Sequence, residues 1–113
     1  MTARRIRAAT LTGLGLGVVF GGLAILAAIG SAGAGHGSYV AARILFPFSM
    51  LLVLVEGSIG PVAMAVGLLQ FPTYGALIGR AVVSKTYGVL LMLAAAHAAA
   101  VLLCFSGILR GFF

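Results

Sequence analysis

Ile44-Leu-Phe-Pro-Phe-Ser-Met-Leu-Leu-Val-Leu-Val-Glu56-Gly57-Ser-Ile-Gly60-Pro61-Val-Ala-Met-Ala-Val-Gly67-Leu-Leu-Gln70 is a long apolar run with one carboxylate near its centre. A helix needs roughly 20 mainly apolar residues to cross a hydrocarbon core, so the run predicts a membrane span. Glu56 is the only acidic residue of the chain. An ionised carboxylate at mid-membrane costs about 3 kcal/mol on insertion scales, and such a residue is a functional candidate by default.

Two similar windows flank this one, at 8–30 and 86–109, and neither contains Asp, Glu, Lys or Arg. Of 113 residues 63% are hydrophobic and 7% are charged, with a mean hydropathy of +1.27. That composition belongs to the membrane class and leaves no length for a soluble catalytic domain. The expectation is an all-α membrane protein, a single integral membrane domain over residues 1–113 with spans at about 8–30, 44–70 and 86–109.

The formal net charge is +6, yet the cations sit at the edges of the apolar windows and form no stripe for nucleic acid. They read instead as topology signals. Arg4, Arg5 and Arg7 precede the first window, Arg43 lies before the second, Arg80 and Lys85 lie between the second and third, and Arg110 follows. Placing the first group and Arg80 with Lys85 inside gives an N-in/C-out, three-span arrangement. Such a protein belongs in a bacterial cytoplasmic membrane as a multi-pass chain.

Gly57-Ser58-Ile59-Gly60-Pro61 offers a break in the middle window that would give four spans. The charge balance is weaker in that arrangement, and the piece from Ile44 to Ser58 is short for a crossing. A middle helix kinked near Pro61 is therefore the expected form. Arg4-Arg5-Ile6-Arg7 followed by an apolar stretch and Ala32-Gly33-Ala34 imitates a secretory signal, but the stretch is longer than a signal core. Phe71-Pro72 is expected to stop the second helix. The apolar spacing of Tyr74, Leu77, Ile78, Ala81 and Val82 then predicts a short interfacial helix, or the second helix continuing into the headgroups.

Packing faces are legible from spacing. Gly13, Gly17 and Gly21 recur every four residues, continued by Ala24 and Ala28, and allow another backbone close approach. In the second window Ser49, Glu56, Gly60, Ala63, Gly67 and Gln70 fall on one helical face, which predicts that Glu56 points at protein. His97 sits at the middle of the third window, among the alanines at 94–96 and 98–100. Glu56 and His97 are expected to share a depth and to hydrogen-bond.

Two functions use that pair. In one, Glu56 and His97 lock helices in register and the chain is a non-catalytic accessory or assembly protein, packing as a homo-oligomer or within a larger membrane complex. In the other, the pair carries protons in a transporter or channel subunit. A third reading is a haem-binding subunit with haem held between two copies through His97. His36, the other histidine, lies in a glycine-rich loop at a different depth. Cys104 follows His97 on the same face about 10 Å along the axis, too far for a shared first shell. No cofactor, metal cluster or nucleophilic triad is expected, and the lipid bilayer is the one certain surrounding.

Overall fold

The computed structural model describes residues 2–32, 39–57 and 59–109. They are 87% helical without strands. The chain forms α1 (Ala3–Ala32), α2 (Val40–Leu45), α3 (Pro47–Glu56), α4 (Pro61–Ser84) and α5 (Tyr87–Cys104). Three of these, α1, α4 and α5, are long and apolar enough to cross a membrane. The molecule is 50 Å along its long axis, comparable with the roughly 40–45 Å of a bilayer with its headgroups. Outward side chains such as Leu26, Val55, Leu69, Leu91 and Leu102 are largely exposed, as suits lipid contact.

The window 44–70 does not form the single kinked helix expected of it. It is shared among the end of α2, all of α3 and the start of α4. The first break falls at Phe46-Pro47, where Phe46 takes φ −129° and ψ 57° and Pro47 opens α3 without an N–H. The second falls between Glu56 and Pro61: Gly57 takes φ 78° to end α3, and Pro61 occupies the first helical position of α4. Neither α2, with 6 residues, nor α3, with 10, reaches across a hydrocarbon core.

These two short helices make a hairpin that enters from one end of the bundle and returns to it. Its tip at Phe46 packs edge-on against Phe71, with ring centroids 5.4 Å apart. On the return limb Ser49 lies opposite Gly67 and Glu56 lies beside Gly60, so α3 and α4 run antiparallel. Residues expected on one face of one helix are thus two faces pressed together. Ala63 (1% exposed), Gln70 (6%) and Ser49 (9%) are buried there.

α1 and α4 are the close pair. A Cβ at Gly13 would strike the carbonyl of Gly75, one at Gly17 the carbonyl of Phe71, and one at Gly79 the carbonyl of Ala9. Four residues forward on α1 match four back on α4, so the helices are antiparallel. The Gly13, Gly17 and Gly21 stripe is therefore satisfied inside the chain.

Phe71-Pro72 does not stop a helix, because α4 continues through Pro72 to Ser84. The expected interfacial helix is the last turns of α4. Lys85 takes φ 57° and the Thr86 N–H reaches back to the Ala81 carbonyl, a cap geometry in which glycine is the usual residue. Only Lys85 and Thr86 then connect α4 to α5.

Candidate functional site

Ending α2 halfway along the bundle leaves carbonyls without intrahelical donors, and the Pro47 nitrogen supplies none. In hydrocarbon such groups must find protein partners. Two long side chains meet them. Gln70 Nε2 donates to the Leu45 carbonyl at 2.7 Å, and His97 Nε2 lies 2.8 Å from the Ile44 carbonyl. Gln70 and His97 both sit close to the middle of their helices. Cys104, fully buried, reaches the Pro47 carbonyl with its thiol at 3.4 Å from the same face of α5.

His97 has a second bond. Its Nδ1 is 2.9 Å from the Tyr74 hydroxyl. A carbonyl only accepts, so Nε2 carries a proton, and in the tautomer protonated there alone Nδ1 accepts from the Tyr74 hydroxyl. Phe48 also meets the imidazole edge-on, at 6.2 Å between centroids. The chain from Tyr74 to His97 to Ile44 ends on a backbone carbonyl, which passes no proton onward. Its chemistry is that of a fastening.

Glu56 is elsewhere. Its two carboxylate oxygens accept from the Val62 and Ala63 N–H groups, each at 3.2 Å. Gly60 precedes α4 without a side chain to cap it and Pro61 has no N–H, so Glu56 covers the second and third helical positions. The carboxylate also faces the positive end of the α4 dipole. A Cβ at Gly60 would come within 2.8 Å of Glu56 Oε1, so a larger residue there would push the carboxylate from this position. The expected Glu56–His97 bond is therefore replaced by two separate ones: Glu56 lies at the end of α4, and His97 lies at mid-bundle.

Of the packing residues, Gly13, Gly17 and Gly21 meet α4, Gly60 makes room for the Glu56 carboxylate, and Gly67 makes room for Ser49 and Phe46. His36 and Arg110 lie outside the described residues. His97 has both ring nitrogens engaged, so ligating iron would require breaking one of these bonds. Among the described residues no three His, Cys, Asp or Glu side chains come together as a metal-ligand group.

Sequence reasoning did not single out Tyr74 or Gln70 as partners of the tip, nor Arg43 as a core residue. Arg43 is 4% exposed, donates from Nε to the Tyr39 carbonyl at 3.3 Å, and lies 4.2 Å over the Phe105 ring. The available signal was Phe46-Pro47 inside an apolar window, with amide and imidazole donors at matching depth on later helices. The Ser49 hydroxyl and Gln70 Oε1 are buried without a hydrogen-bond partner among the described residues. Beneath the tip, α4 and α5 diverge around a cleft of about 590 Å³ in which Tyr74 and His97 are the polar lining residues. No family model, curated protein or solved structure matches this chain.

Proposed function

We propose that this chain is a non-catalytic accessory or assembly protein of a membrane complex, built around a re-entrant helical hairpin. The observation that carries this reading is the use made of its interior polar groups. Glu56, Gln70 and His97 all bond backbone of their own chain and hold α3, α4 and the hairpin tip in register. A proton-linked role for Glu56 and His97 together has less support, because they bind different backbone segments at different levels.

With the Gly13, Gly17 and Gly21 stripe spent on α4, a partner meets another face. On α5, Ala94, Ala95, Ala96, Ala98 and Ala99 are exposed, and small residues of this kind allow a second helix to approach closely. That partner is a further copy or another membrane subunit. The N-in/C-out orientation in a bacterial cytoplasmic membrane is supported by charge: the antiparallel α1/α4 pair gathers Arg4, Arg5, Arg7, Arg80 and Lys85 at one end.

The test combines purification with one substitution. Affinity purification in mild detergent is expected to recover a defined complex, and Glu56→Gln is expected to keep it with a stability loss of about 1 kcal/mol, since an amide retains one acceptor for the α4 cap. Proton flux in liposomes that Glu56→Gln abolishes without disturbing assembly would overturn the proposal.

A further inference from the structure

Along one side of the α1/α4 pair runs a groove of about 660 Å³, walled by Ala9, Thr12, Leu16 and Phe20 on α1 and by Ile78 and Val82 on α4. Its floor is the glycine contact itself, where the two backbones approach too closely for side chains. From Ala9 to Phe20 the groove is about 16 Å long at 1.5 Å per residue. That is about half of a ~30 Å hydrocarbon core, the depth of one leaflet.

The mouth of the groove at the α1 N-terminus is cationic. Arg5 precedes Ala9 by four residues and Thr12 by seven, so it continues the α1 wall by one turn. Lys85, the left-handed residue just past the end of α4, lies at the same end of the α4 wall. The register that sets Ala9 against Gly79 brings Arg5 to the level of Val83, next to the end that carries Lys85. Both side chains are exposed. Arg4, Arg7 and Arg80, by the same helical spacing, point away from the groove.

We propose that this groove seats an acyl chain of an anionic phospholipid from the leaflet at the cationic end, with Arg5 and Lys85 holding its phosphate. A second copy of this chain in the same orientation would bring like charges to the mouth, whereas an anionic headgroup complements them. The site rests on the chain being embedded in a bilayer and is independent of the accessory role, so failure of either leaves the other standing.

The test uses the full chain in detergent, with native mass spectrometry after adding phosphatidylglycerol or phosphatidylcholine of identical acyl chains. Retained phosphatidylglycerol is expected to exceed phosphatidylcholine by roughly twenty-five-fold, from two cations each contributing about a factor of five. The double substitution Arg5→Gln with Lys85→Gln removes that preference. Arg4→Gln with Arg7→Gln, which removes the same charge from the other faces, leaves it. Leu16→Trp, which fills the groove, lowers retention of both lipids. Equal loss with either double substitution, equal retention of the two lipids by the unmodified chain, retention indifferent to Leu16→Trp, or a dimer that closes the groove without lipid would each overturn the proposal.

Discussion

The dipeptide Phe-Pro occurs twice in this chain, and the two copies meet in space while doing opposite things. Phe46-Pro47 ends one helix and starts another, whereas Phe71-Pro72 lies inside α4. The Phe46 and Phe71 rings touch edge to face, so the two sites share a level in the bundle. Local preference is the same at both: proline removes one donor and biases the preceding residue away from the helical region. What differs is what surrounds the backbone. At Phe71-Pro72 the carbonyl of Phe71 is packed against Gly17 and the helix is held on both sides of the proline by the α1 contact. At Phe46-Pro47 the freed carbonyls of Ile44 and Leu45 find His97 and Gln70.

The largest expected effect comes from attacking the contact that packs α1 against α4 at Pro72. Gly17→Leu would drive a side chain into the Phe71 carbonyl and Pro72, and since both partners there are backbone, a loss of about 3 kcal/mol or more is expected. Unfolding in detergent followed by circular dichroism checks this. If Gly17→Leu unfolds like the parent chain, the account of why Pro72 is tolerated fails.

A smaller effect is expected at the other dipeptide. His97→Ala strands the Ile44 carbonyl and the Tyr74 hydroxyl, at a cost of about 1–3 kcal/mol. Hydrogen exchange should rise in α2 and α3 while the α1/α4 pair stays protected. Gln70→Ala should act alike on the Leu45 carbonyl. Uniform loss of protection through all helices would mean that the hairpin is not a separate unit fastened by these side chains.

The smallest effects separate the two prolines directly. Pro72→Ala returns a donor to α4 and should leave stability unchanged or raise it by about 1 kcal/mol. Pro47→Ala removes a residue already set for the first turn of α3 and should lower stability by less than about 1 kcal/mol. Paired thermal melts in the same detergent measure both, with Pro47→Ala expected below the parent chain and Pro72→Ala at or above it.

Much of this architecture was legible in residues. The number of membrane-length helices was legible, although the second of them is Pro61–Ser84 and not the window 44–70, and the four-residue glycine spacing pointed to a close helix contact, because both signals depend on the rise and period of a helix. His97 lies close to the middle of α5, in line with its place at the middle of an uninterrupted window. Glu56 was read at the wrong depth because the window 44–70 was taken as one element. Once Gly57 and Pro61 divide it, the same residue moves from the middle of one helix to the end of α3, and its carboxylate caps the start of α4.

The sequence by itself determined that this protein is helical, apolar and studded with cations at its window edges, since hydrophobicity and helical period are local properties. Tertiary structure alone decided which proline breaks a helix, which residue receives the His97 proton donor, and whether the glycine stripe meets its own chain or another. Those outcomes turn on where orphaned backbone groups find partners, and in hydrocarbon a partner is supplied by whichever helix happens to pack alongside.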